Sequence, residues 1–287
     1  MNIFSSLKDK YPIQTAYING ADFTYRYYKN EASDKTIVLL TGGLGLSDLL
    51  LLHFEEFAKS YSVLVFDYHI AYATIQELVD AIAALLKKLD IKAFLVGQSL
   101  GGFVAQILAQ QYPEVVEGMV LSNTGTLSVD MNDNGVKCLE DMISQIDKSL
   151  FMLKITPFGF MKKSIKKAVM KKTSGQLSEQ ERELMAEVCD EMVRSLTKEY
   201  ETHMTLLLKD IKNHWNMQAK DFAAYENKVL LILSDDDLTF NDGVKQALID
   251  IMPKAPVVTD IRGGHIALLV KMDRYVQTVK TFIDNAR

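Results

Sequence analysis

Apolar positions in the first 125 residues come in short runs bounded by turn-forming residues. Ala21 to Tyr28 alternates apolar and polar side chains, the period of a strand with one face in water, whereas Thr36 to Leu40 is a continuous apolar run, as expected of a strand covered on both faces. Tyr61 to Phe66 and Ala93 to Val96 repeat the second pattern. Thr74 to Leu89 carries helical spacing, and another helix runs from about Leu100 to Gln111, stopped by Pro113, before a strand at Gly118 to Ser122. This strand, helix, strand rhythm predicts parallel strands joined by crossover helices.

From Thr126 to Lys220 only helical spacing remains, and no β-branched run is long enough for a strand. The strand pattern returns in VLLIL from Val229, followed by Asp235-Asp236-Asp237, a helix around Gly243 to Ile251, a short strand at Val257 to Asp260 and a last helix from about Ala267 to Asp284. The expected architecture is α/β: a mostly parallel sheet flanked by helices, built from residues 1–125 and 221–287, with 126–220 inserted as an all-helical cap. No internal repeat or low-complexity stretch suggests a solenoid or a linker.

Composition narrows the function classes. With 32 Lys and Arg against 37 Asp and Glu among 287 residues, and 48% apolar residues, the chain has a net charge of −5 and the make-up of a folded domain. Neither disorder nor nucleic-acid binding through bulk charge is expected. The apolar runs fall short of the roughly 20 residues that span a bilayer, so stable membrane insertion is not expected. The N-terminal MNIFSSLKDKYPIQT does not read as a signal peptide, and Cys138 and Cys189 are isolated, which together lead us to expect a cytoplasmic protein with reduced thiols.

The chemistry is concentrated in Phe94-Leu95-Val96-Gly97-Gln98-Ser99-Leu100-Gly101-Gly102, where a buried strand runs through G-x-S-x-G directly into a helix. So tight a turn needs small residues beside it, forces the serine into a strained conformation and points the first amides of the helix at the space above its hydroxyl. A serine hydroxyl is a poor nucleophile without a base and an acid that orients the base. His265, in Arg262-Gly263-Gly264-His265, follows the last short strand, and Asp235 to Asp237 follow the strand before it. Ser99, one of these aspartates and His265 would thus meet at the C-terminal edge of a parallel sheet, where such sheets bind ligands.

These features resemble the α/β-hydrolase fold superfamily, serine hydrolases with a helical cap, over most of the chain outside the insertion. The resemblance implies Ser99 as nucleophile, His265 as base and Asp237 as the acid, since Ser234 takes the small position of a G-x-x-D pattern. Asp236, or an acid near Asp130, is the fallback. It implies oxyanion donors at the amide of Leu100 and in Thr41-Gly42-Gly43-Leu44-Gly45, with Gly43 first and Leu44 second. Thr41 stands where many relatives carry histidine. The implied reaction is hydrolysis of a small or medium ester-like substrate, whether carboxylic ester, thioester or lactone, through an acyl-enzyme. Carbon–carbon bond hydrolysis and aminopeptidase action would use the same residues, and a non-catalytic ligand-binding module is the reading from another class. A serine at the turn argues against the dehalogenase and epoxide-hydrolase branches, which use a carboxylate.

No cofactor is expected. The glycines at 42, 43 and 45 do not complete a phosphate loop, because Asp48 stands where a third glycine would be, and His53, His69, His203 and His214 show no metal spacing. The expected partner is a small-molecule substrate, with the protein a monomer or homodimer. Lys162, Lys163, Lys166, Lys167, Lys171 and Lys172, interleaved with Met161, Ile165, Ala168 and Val169, read as a basic amphipathic helix. Such a helix touches a membrane surface, steers anionic substrates or, more ordinarily, offers a solvated face opposed by the acidic helix holding Glu179, Glu181, Glu183 and Glu187. Phe151, Met152, Phe158, Phe160 and Met161 are expected to pack within the cap.

Overall fold

The computed structural model describes residues 3–173, 178–252 and 254–286. Its centre is an eight-stranded sheet in the order β1-β2-β4-β3-β5-β6-β7-β8. The strands are β1 (Gln14–Ile18), β2 (Ala21–Tyr28), β3 (Thr36–Leu40), β4 (Ser62–Phe66), β5 (Ala93–Gln98), β6 (Val116–Ser122), β7 (Val229–Ile232) and β8 (Val257–Val258). β1 and β2 pair antiparallel, β2 joins β4 antiparallel, and every later pairing is parallel.

Helices cover both faces of the sheet, as buried parallel strands require. Side chains alternate accordingly. Val38, Leu40, Leu64, Leu95 and Leu121 enter the core under α3 (Ile75–Lys88), α4 (Leu100–Gln111) and α9 (Asp242–Ile251). Ile37, Leu39, Val63, Val65, Val96 and Ile232 enter the one under α1 (Ile3–Lys10), α2 (Leu51–Ala58), α10 (Ala267–Val270) and α11 (Met272–Asn285). α3 starts where its sequence dictates: the Thr74 hydroxyl accepts the Glu77 amide at 3.2 Å while the Glu77 carboxylate accepts the Thr74 amide at 3.2 Å.

Two expectations are corrected, and two elements were not expected. α1 and β1 carry too little pattern to be read in advance, since β1 buries only Ala16 and Ile18. The strand expected at Val257 to Asp260 is two residues long, because it lies at the sheet edge and pairs only with β7. The single helix expected from Ala267 to Asp284 is two helices, because Lys271 leaves the helical basin at φ −121° and ψ 48°.

Between β6 and β7 the described chain forms α5 (Asp133–Ile155), α6 (Phe158–Thr173), α7 (Glu179–Ser195) and α8 (Lys198–Asp210), with an isolated bridge between Ser128 and Met217. α6 packs on α7, and α5 lies against α8 and α9. Phe158 is partly buried against the core, but Phe151, Met152 and Phe160 are exposed, contrary to the packing expected of them. The side chains of Ala168, Lys171 and Lys172 lie outside the described residues.

Candidate active site

β5 delivers Ser99 to the C-terminal edge of the sheet and α4 carries the chain away from it. The turn holds Ser99 at φ 52° and ψ −117°, a conformation that costs a non-glycine residue of order 1–3 kcal/mol. Two glycines make this possible by close approach. A Cβ on Gly97 would sit 2.4 Å from the Gly101 carbonyl oxygen, and one on Gly101 would sit 2.3 Å from that of Leu40. The second contact also brings the start of α4 against the end of β3, so the Leu100 amide and the loop Thr41 to Gly45 share one space.

Ser99, His265 and Asp237 are brought together as anticipated. His265 Nε2 lies 2.9 Å from Ser99 Oγ, and His265 Nδ1 lies 2.9 Å from Asp237 Oδ2. With Nδ1 protonated and donating to the carboxylate, Nε2 is left to accept the serine hydroxyl. The Asp237 side chain is 1% exposed and that of His265 is 29% exposed, so the acid is sealed while the base reaches the site. The Phe240 ring stands edge-on to the imidazole at 5.8 Å.

The three consecutive aspartates have separate partners. Asp235 is exposed and paired with Arg262 at 2.7 Å, and Asp236 accepts the Gly263 amide at 3.0 Å. Asp237 alone among them holds His265, while Asp130 is exposed and accepts nothing from the imidazole in the described geometry. Burial pushes the Asp237 carboxyl up, but the hydrogen bond and charge of His265, with the Thr239 amide at 2.9 Å, more than offset it and hold the group below the ordinary carboxylate value. A depressed folded value means that the contribution of Asp237 to stability is complete above its unfolded pKa, about 3.9, and is lost as pH falls through the folded value. The stability difference between wild type and Asp237→Asn, read by urea unfolding, is therefore expected to shrink as pH drops below about 4.

Positioning residues absent from the sequence reading hold this geometry. Asn123, directly after β6 and buried at φ 40°, donates from Nδ2 to Ser234 Oγ at 2.9 Å and to the Gly264 carbonyl at 2.8 Å, and accepts the Ser234 amide at 2.8 Å. It ties the acid loop to the histidine loop. Gln98, the variable residue before Ser99, donates to the His265 carbonyl at 2.9 Å and packs against Gly42. The only sequence signals were the tolerance of asparagine for positive φ and the place of Gln98 inside the motif. Asn123→Ala is expected to cost about 3 kcal/mol in urea unfolding, because the Ser234 amide loses its buried partner, and to lower turnover as the His265 loop loosens.

The loop after β3 is held by two tyrosine hydroxyls and by backbone hydrogen bonding. The Thr41 carbonyl accepts the Tyr68 hydroxyl at 2.9 Å, Gly45 donates to the Gly42 carbonyl at 2.9 Å, and the Gly45 carbonyl accepts Tyr200 Oη of α8 at 2.7 Å. Leu208 of α8 faces Gly43 closely enough that a Cβ there would meet it at 3.1 Å. α8 therefore roofs the loop. Asp48, beside it, pairs with Lys8 at 2.7 Å and with Arg26 at 3.2 Å. Among the described residues no cluster of His, Cys, Asp and Glu has the arrangement of a metal site, and no helix is long and apolar enough to cross a membrane.

Comparison with known proteins identifies the fold. The enol-lactonase of Burkholderia xenovorans LB400 superposes with a TM-score of 0.70 at 19% identity, covering 95% of this chain and 100% of that one. A thermophilic esterase from Thermogutta terrifontis superposes with a TM-score of 0.67 at 16% identity, covering 95% and 99%. At such identities the likeness is one of fold. Proline iminopeptidase PfmaB of Pestalotiopsis fici is 29% identical over 154 residues, which are 50% of this chain and 54% of the relative, so the chain spans about half the length of the curated relative it matches. The family described as alpha/beta hydrolase fold matches residues 59–271, from just before β4 to the end of α10 and including Ser99, Asp237 and His265. The chain belongs to the alpha/beta hydrolase fold family.

Proposed function

We propose that this protein is a serine hydrolase that cleaves a small or medium ester-like substrate, a carboxylic ester, thioester or lactone, through an acyl-enzyme. The observation that carries the reading is His265 bridging Ser99 and Asp237 at 2.9 Å on each side. Ser99 Oγ attacks the carbonyl carbon as His265 Nε2 takes its proton. Asp237 fixes the imidazole tautomer and stabilises the cation that forms. The amides of Leu100 and Gly43 receive the oxyanion, with Leu44 the alternative to Gly43, and loss of one such donor typically costs about 10²–10³ in turnover. His265 then protonates the leaving group, and water repeats the attack on the acyl-enzyme with His265 as base. In this reading residues 126–220 form a cap over the 1–125 and 221–287 core, and Leu208 and Met204 of α8 face the substrate space above the Gly43 to Gly45 loop.

The test is intact mass after exposure to a fluorophosphonate. One adduct on wild type and none on Ser99→Ala is expected. A well-folded wild type that takes up no adduct would overturn the enzymatic reading in favour of a ligand-binding module. The partial match to a proline iminopeptidase favours aminopeptidase action as a second reading. Comparing p-nitrophenyl acetate, a γ-lactone and an acyl thioester with proline p-nitroanilide separates the two, since faster turnover of the anilide would replace the ester reading.

A further inference from the structure

α6 has two faces with different partners. Phe158, Ile165 and Val169 pack against the core beneath the helix. On the flank beside α7, Lys162 donates to the Val193 carbonyl at 2.6 Å and Lys166 pairs with Asp190. The ordinary expectation, lysines facing an acidic neighbour, thus accounts for Lys162 and Lys166. It does not account for Phe160, Lys163 and Lys167, which are exposed and follow the i, i+3, i+7 spacing of a single stripe.

At the end of α5, Lys148, Phe151, Met152 and Ile155 form a second stripe by the same spacing. The α5 stripe and the start of α6 meet at one corner, because Lys148 and Met152 of α5 line a 440 Å³ cavity together with Met161 of α6 and Glu201 of α8. Four large apolar side chains stand in solvent there: Phe151 is 61% exposed, Met152 47%, Ile155 59% and Phe160 66%. From Lys148 to Ser178 the sequence holds eight lysines and no acidic residue, in a chain whose net charge is −5. Apolar side chains clustered at the tip of a strongly cationic segment are what a headgroup layer above acyl chains accommodates. The apolar groups enter the interface while the lysines remain among anionic headgroups.

We infer that the α5–α6 corner docks the protein reversibly on an anionic lipid bilayer surface, with Phe151, Met152, Ile155 and Phe160 entering the interface and Lys148, Lys154, Lys163 and Lys167 contacting the headgroups. This is surface association, with no helix among the described residues long and apolar enough to span a bilayer, and it does not depend on the reaction at Ser99.

The test is co-sedimentation of the full chain with vesicles of phosphatidylcholine alone and of phosphatidylcholine mixed with phosphatidylglycerol. Binding to the mixed vesicles at low salt, release by high salt and little binding to phosphatidylcholine are expected. Each lysine near an anionic surface contributes about fivefold to partitioning, so Lys163→Gln with Lys167→Gln is expected to weaken binding about 25-fold. Phe151→Ser with Phe160→Ser is expected to weaken it at least tenfold. Both pairs should keep the wild-type unfolding midpoint and the hydrolysis of a water-soluble ester, because the four residues are exposed and outside the site. Absence of binding to the mixed vesicles, equal binding to phosphatidylcholine, or unchanged binding by both variants would overturn the inference. So would a dimer that the Phe pair dissociates in a protein with no affinity for lipid, which would give the corner to a second copy.

Discussion

Ser99→Ala is expected to lower kcat by on the order of 10⁶ on whichever ester wild type turns over, with KM little changed. In the proposed reading the Ser99 hydroxyl forms the acyl-enzyme, with His265 Nε2 2.9 Å away as its base. What would remain, on the order of 10³–10⁴ over the uncatalysed reaction, would come from the proposed oxyanion amides and substrate binding. The fold should not suffer, because the Ser99 side chain makes no capping bond to α4. The backbone there is strained, so Ser99→Gly is expected to inactivate equally while stabilising the protein by about 1 kcal/mol in urea unfolding. Substantial turnover by a verified Ser99→Ala protein would remove Ser99 from the mechanism.

The second large effect is expected at Asp237. Asp237→Asn should lower kcat by about 10⁴, because an amide at this position presents a donor or a neutral acceptor where the imidazole needs a negative one, and the histidine tautomer is no longer fixed. Burial sharpens the effect: a side chain 1% exposed offers water little chance to take over the carboxylate's role. The neighbours supply the control. Asp235→Asn breaks only an exposed pair with Arg262 and should leave turnover within about twofold, in keeping with the small energies of surface ion pairs. Asp236→Asn should fall between the two, since its carboxylate holds the Gly263 amide two residues before His265. Steady-state kinetics on the three variants would check the ordering, and a larger loss at Asp236 than at Asp237 would move the acid assignment by one residue.

Much of this site was legible in the linear chain because its parts obey local rules. The Gly97 to Gly101 motif reads as a strand-to-helix turn because an apolar run leads into it and helical spacing follows it directly. The sheet strands announced themselves through apolar runs buried on both faces, and α3 through its helical spacing. Where side-chain burial was sparse the pattern failed, as in β1, at the sheet edge in β8 and at the break at Lys271.

The succession of the buried central strands and their crossover helices and the strained turn at Ser99 follow from interactions among residues a few positions apart. Which of three adjacent aspartates meets His265, that Asn123 and Gln98 clamp the histidine loop, that Tyr68 and Tyr200 hold the loop after β3, and which lysines of α6 face α7 all depend on how distant segments meet in the folded chain. Those choices rest on distances between chain segments brought together by burying two apolar faces of one sheet. A one-residue change in a turn redirects a side chain by angles that spacing in the sequence does not encode.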